Sequence, residues 1–166
     1  EHLERVAHIQ DETRRLYAGL VVGLDDGVGR IMNKLRESGL EENTLVFFMS
    51  DNGGKLKWGA DNGVLRRDKG SSYEGGWRVP FLMQWKGVTQ PSVYDQPVNS
   101  LDVLATIADL SGAALNPEKP LDGVNLIPYV TGVKQGAPHR AIFLRGGGFE
   151  GTYAVRMGDY KIITYN

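Results

Sequence analysis

The stretch from Thr44 to Pro80 constrains this chain most. It opens with Thr44-Leu45-Val46-Phe47-Phe48-Met49 and stops abruptly at Ser50-Asp51-Asn52-Gly53-Gly54. A continuous run of β-branched and aromatic residues bounded by turn residues predicts a buried strand. A carboxylate and a carboxamide follow at once, and in open α/β sheets ligands bind just beyond the carboxyl ends of the strands. Two oxygen-bearing side chains there suit a hard cation. Adjacent side chains of a strand point to opposite faces, so both reach one ion only if the strand has ended before Asp51, which Gly53-Gly54 permit. The same text also suits an Asx-turn or a helix cap.

After a polar loop over residues 55–62, the chain reaches Leu65-Arg66-Arg67-Asp68-Lys69-Gly70-Ser71-Ser72-Tyr73-Glu74-Gly75-Gly76-Trp77-Arg78-Val79-Pro80. Lys69, beside glycine and small hydroxyl residues, suits an oxyanion near the cation, although most lysines are simply solvated. The ordered set Ser50-Asp51-Asn52-Gly53, Leu65-Arg66, Lys69-Gly70, Tyr73-Glu74-Gly75-Gly76 and Arg78-Val79-Pro80 resembles the second half of a type I sulfatase of the alkaline phosphatase superfamily. The usual text there is a strand, SDNG, then LRG-x-KG-x-x-YEGG-x-RVP.

The resemblance implies an α/β fold: a mostly parallel sheet flanked by helices, followed by the start of a small antiparallel C-terminal subdomain. It implies that Asp51 and Asn52 ligate Ca²⁺, that Lys69 contacts the sulfate oxygens, and that the activity is sulfate ester hydrolysis of a small molecule or glycan. Arg66 either neutralises Glu74 or lines the substrate entrance, and Glu74 orients Arg78 or backbone amides. The nucleophile implied is a formylglycine made from Cys or Ser in a C/S-x-P-x-R motif. The chain has no Cys and no Ser-x-Pro-x-Arg. It therefore reads as the C-terminal part of such an enzyme, inactive alone. Other hydrolases of the superfamily, acting on phosphodiesters or phosphonates, and a non-catalytic carbohydrate-binding module are the rival readings. A periplasmic or secreted site is the family expectation, or a lysosomal one in an animal.

The flanks fit this frame. Tyr17, Leu20, Val21, Leu24, Val28, Ile31, Met32 and Leu35 recur at spacings of three and four, which predicts an amphipathic helix from about Asp11 to the stop at Gly39. Asp25 and Asp26 in its middle read as a solvated or capping pair. Helix, short turn and strand make half of a βαβ unit. Phe81-Leu82-Met83-Gln84-Trp85 predicts a second strand. Ser100 reads as the cap of a helix through Leu110 with Leu101, Leu104, Ile107, Ala108 and Leu110 on its face. Leu126 to Val130 reads as a short helical piece, Ala141 to Leu144 and Tyr153 to Tyr165 as strands, and Arg156 to Lys161 as a hairpin about Gly158-Asp159. These pieces resemble the D-x-L-A-T-I helix, the LDG-x-x-L-x-P turn and the A-V-R-x-G-x-x-K hairpin of the same family. The weak linker over residues 132–138 divides a catalytic part, 1–137, from the start of a C-terminal subdomain, 138–166.

Bulk properties exclude little. The 166 residues suffice for one core, and a net charge of −1 gives no support to a nucleic-acid partner. The 22 glycines are about twice the usual share of roughly 7% and cluster at 53–54, 75–76 and 146–148. No apolar run approaches the ~18 residues of a membrane span, and no leader pattern opens the chain. His2, His8 and His139 sit in no recognisable constellation and read as surface or structural residues.

Overall fold

The computed structural model describes residues 1–146 and 151–164. The chain opens with a single helical turn, α1 (His2–Arg5), within the segment expected to be a plain approach. The long helix α2 (Glu12–Glu37) starts where Asp11 caps it, accepting the Arg14 amide at 2.7 Å. It ends at Ser38, and Gly39 follows with φ 67°, the left-handed turn that favours glycine. α1 lies across α2 at Gly19, where a side chain would meet Leu3 Cδ2 at 2.7 Å.

β1 (Val46–Met49) pairs with β2 (Phe81–Gln84) in antiparallel register, Val46 opposite Gln84 and Met49 opposite Phe81. The mostly parallel pairing is not found here: both sheets among the described residues are antiparallel. The reason is local. The link from β1 to β2 is a loop with single helical turns, α3 (Glu74–Trp77) among them, and lacks the crossover helix that parallel neighbours need. β1 is not buried either; with one neighbour in a two-stranded sheet, Phe48 and Met49 remain exposed. The antiparallel register has one useful result. It joins the two ends of the intervening loop, with the Ser50 amide donating to Pro80 O at 3.2 Å.

α4 (Leu101–Ser111) ends at Gly112, φ 66°. Of the expected face only Ala108 is buried. Leu101, Leu104, Ile107 and Leu110 are exposed, while Asp102, Ala105, Thr106 and Ala108 are buried. The cause is the turn that precedes α5 (Ile127–Val130). Its Val124 amide donates to Asp102 Oδ1 at 2.9 Å and its Leu126 amide to Thr106 Oγ1 at 3.0 Å. Gly123 passes so close that a Cβ would stand 2.2 Å from Leu101 O. His139 Nε2 closes on both Asp102 oxygens at 2.8 and 2.9 Å, so this histidine is structural. Ser100 offers no side-chain cap; Asn99 Oδ1 accepts the Leu101 amide instead.

The second sheet runs β3 (Ile142–Gly146), β4 (Thr152–Met157) and β5 (Tyr160–Ile163), each antiparallel to the next. The β4–β5 turn holds Gly158 at φ 56°, as the Gly-Asp pair predicts. The glycines expected at 147–148 and the strand end at Tyr165 lie outside the described residues. The apolar core among described residues is small: Val6, Ala60, Ala105, Ala108, Leu126 and Ala154.

Candidate active site

Because β1 and β2 close on each other, Ser50 to Pro80 is one long loop with joined ends, and it folds back upon itself. Gly53 donates to Gly76 O at 2.9 Å, Lys69 N to Gly54 O at 3.2 Å and Gly75 N to Arg66 O at 2.9 Å. These bonds bring the Asp51–Asn52 turn beside the Lys69 segment, two motifs separated in sequence. Three glycines make the approach possible. A Cβ on Gly53 would sit 1.8 Å from Gly75 O, one on Gly75 1.9 Å from Arg67 O, and one on Gly76 2.2 Å from Ser71 O. No side chain fits at such distances, so the close approach explains glycine at all three positions.

Side chains complete the lacing. The Asn62 carboxamide bonds both sides of Gly54: its Oδ1 accepts the Gly54 amide and its Nδ2 donates to Gly54 O, each at 3.0 Å. Nδ2 also donates to Arg67 O at 3.1 Å. The Lys55 ammonium donates to Asp68 Oδ1 at 3.2 Å and to Lys69 O at 3.0 Å. The Lys55 hydrogen bond holds the Asp68 carboxyl below its ordinary range, opposed by desolvation and helped by the Leu56 amide. Sequence reasoning missed Asn62 and Lys55, which lie in the polar loop. Their partners are five to fourteen positions away, beyond any local motif.

Glu74 turns away from the loop towards the second sheet. Its Oε1 accepts Lys161 Nζ at 2.8 Å and its Oε2 accepts Arg156 at 3.4 Å. It therefore orients neither Arg78 nor a backbone amide. Ser72, 3% exposed, bonds Thr152 of β4 through the two hydroxyls. Arg66 does not neutralise Glu74; its guanidinium lies over the Tyr73 ring, 4.3 Å from the centroid.

The candidate ligands stand differently. Asp51 and Lys69 are exposed and Asn52 is half-buried. Among the described residues, neither the Asp51 carboxylate nor the Lys69 ammonium forms an ion pair; the ion pairs of this loop are the Arg14–Asp61, Lys55–Asp68, Arg156–Glu74 and Lys161–Glu74 pairs. Among those residues, too, no cluster of three or more His, Cys, Asp or Glu side chains gathers. Asp51 and Asn52 thus carry side-chain oxygens and Lys69 an ammonium, with Asp51 and Lys69 exposed to solvent.

A sequence model of the sulfatase family matches residues 2–113. The chain belongs to the sulfatase family. It is 41% identical over 143 residues to arylsulfatase A of Bos taurus, covering 83% of this chain and 28% of that protein. It is 34% identical over 151 residues to an arylsulfatase of Hemicentrotus pulcherrimus, covering 89% and 27%. The solved structure of Ps i-CgsB in complex with k-i-k-neocarrahexaose superimposes with a TM-score of 0.90 at 36% identity, over 99% of this chain and 37% of that one. The PsFucS1 sulfatase from Pseudoalteromonas sp. superimposes at 0.74 with 28% identity, over 87% and 29%. The sulfatase fold expected from the motifs is therefore the fold of this chain, and the chain spans about a quarter of the length of the curated sulfatases it matches. No described helix is long and apolar enough to cross a membrane.

Proposed function

We propose that this chain forms the sulfate-facing wall of a sulfatase active site, and that the enzyme carrying it hydrolyses sulfate esters of a carbohydrate. The observation that carries the reading is the Lys69 amide on Gly54 O at 3.2 Å, which brings the Lys69 backbone close in space to the residues that follow the Asp51–Asn52 turn. The family of the chain supports the reaction class. The neocarrahexaose bound to Ps i-CgsB supports a glycan as the ester.

Asp51 and Asn52 would hold Ca²⁺. The donor set fits a hard cation, because both groups are oxygens, and it is partial, because Ca²⁺ takes roughly six to eight. When bound, the ion supplies positive charge that polarises the sulfate. Lys69 donates to a non-bridging sulfate oxygen. Its charge is worth more as the S–O bond breaks and electron density moves onto oxygen, so it favours the transition state over bound substrate. The formylglycine of sulfatases has no source motif among these residues. This chain's role is then to bind and to stabilise charge, while the attacking group comes from elsewhere.

Calcium titration tests the reading. A site of millimolar affinity stabilises by only about 0.4 kcal/mol when calcium is near its Kd. The 166-residue chain alone should therefore barely shift its melting temperature in about 1 mM calcium. The enzyme carrying it should rise by several degrees and turn over a chromogenic aryl sulfate, and Asp51→Ala should remove the rise. Micromolar calcium binding by the chain alone, or an unchanged shift in Asp51→Ala, contradicts the ligand assignment.

A further inference from the structure

Arg67 has φ 67° and is the non-glycine residue with positive φ among those described. That region is strained for a side chain as large as arginine, and such strain persists where the surroundings impose it and gathers at ligand sites. The imposing contacts are visible. Arg67 O accepts Asn62 Nδ2, and Gly75 lies against the same carbonyl. The backbone contacts would serve glycine equally well, so they explain the turn and leave the arginine unexplained. Its guanidinium lies 5.6 Å from the Tyr73 ring centroid, and that of Arg66 lies 4.3 Å from it. Both side chains are exposed, and neither forms an ion pair with a carboxylate among the described residues. The neighbouring carboxylate, Asp68, already serves Lys55 and the Leu56 amide. Two guanidinium groups that form no close ion pair among the described residues, Arg67 feeling the Asp68 charge only at longer range, therefore flank one aromatic ring, and Lys69 is two residues on, within about 7 Å along the backbone.

We propose that Arg67, with Arg66 beside it, reads a second anionic substituent of the substrate, a sulfate or carboxylate adjacent to the ester cleaved, and so selects polyanionic glycans over monosulfated ones. Guanidinium suits this role because its planar fork matches the oxygens of sulfate and carboxylate in pairs, and an aromatic face beneath it holds the plane in place. The proposal rests on the sulfatase reading above, with Lys69 as the contact to the scissile group.

The test compares binding of two probes, a monosulfated and a disulfated disaccharide of the same sugars, to the enzyme carrying this chain, at low and high salt. Arg67→Gly is the informative variant, since glycine suits φ 67° and should keep or raise the melting temperature. The unaltered protein should bind the disulfated probe at least tenfold more tightly. Arg67→Gly should lose most of that preference and its salt dependence, with the monosulfated probe bound within about twofold of the original. A preference that survives in Arg67→Gly, equal losses for both probes, a fall in melting temperature, or no preference at the outset overturns the proposal. Lys69→Ala separates this from failure of the sulfatase reading: if it weakens neither probe, the sulfate contact itself is wrong.

Discussion

The helix α2 and the loop from Ser50 to Pro80 are built on opposite principles. α2 is regular, capped and periodic, and its long apolar side chains are largely in solvent: Leu20 is 75% exposed, Leu24 56% and Ile31 61%. The loop has almost no regular structure, yet glycine contacts, backbone bonds and the Asn62 and Lys55 side chains fix it. A helix takes its shape from local hydrogen bonds and its place from whatever covers its apolar stripe. The loop takes both from contacts with itself. The usual order of definition is the reverse, since helices are usually the rigid part of a fold. Here the irregular segment holds the proposed sulfate contacts, and its internal bracing is what keeps two distant motifs in register.

The contrast gives a graded set of expectations. The largest effect should come from Gly53→Ala. The added carbon would meet Gly75 O at 1.8 Å, so the backbone must move. A loss of about 3 kcal/mol is expected, at the upper end of overpacking costs, read by thermal unfolding and by faster exchange of the Lys69 amide. A neutral result would mean that the loop is looser than its contacts imply.

Acid should act next, and on the loop more than on the helix. The Asp68 carboxyl is depressed chiefly by its hydrogen bond from Lys55, and that of Asp26 on α2 chiefly by its hydrogen bond from Arg5. A carboxyl that is more acidic in the folded state stabilises above its unfolded value, and the contribution fades as pH falls through the folded one. Both contributions should therefore vanish below the ordinary aspartate range. Asp26 only joins α1 to an exposed face, whereas Asp68 braces the segment that holds Lys69. Protection of the Lys69 amide should fall in acid, and Asp68→Asn should show the same loss already at neutral pH. Equal loss of protection along α2 would erase the distinction.

The smallest effect should come from Leu24→Gln on α2. That side chain is more than half exposed among the described residues, so the stability of the 166 residues should change by no more than about 0.5 kcal/mol. A loss of 2 kcal/mol or more, the scale for emptying a real core position, would show that the apolar stripe is buried in solution.

How much of this the sequence told depends on range. The helix start near Asp11, the Gly39 stop and the Gly158 turn rest on signals within a few residues, and each is where its local text predicts. The candidate site was named from motifs alone, through Asp51, Asn52 and Lys69. Its framework was not, because Lys55, Asn62 and the three close glycines matter only through partners elsewhere in the loop. α4 shows the same limit. Its periodicity points to a leucine face, but the turn at Gly123 to Leu126 arrives from about twenty residues away and seats its amides on Asp102 and Thr106. Once those polar groups are bonded, the polar side can be the buried side. Antiparallel pairing of β1 and β2 was hidden too, since the apolar runs fit either direction.

The central claim is that the loop holds Lys69 as a specific contact to the sulfate. Steady-state kinetics of Lys69→Ala in the enzyme carrying this chain tests it most directly, with Lys57→Ala as the comparison because Lys57 is exposed and rests on the neighbouring Trp58 ring. Removing one donor to developing charge costs about 10²–10³ in rate. The account predicts a fall of that size in kcat for Lys69→Ala, with KM changed far less and Lys57→Ala within about threefold of the unaltered enzyme. Equal losses in the two variants, or a loss in KM alone for Lys69→Ala, would contradict it.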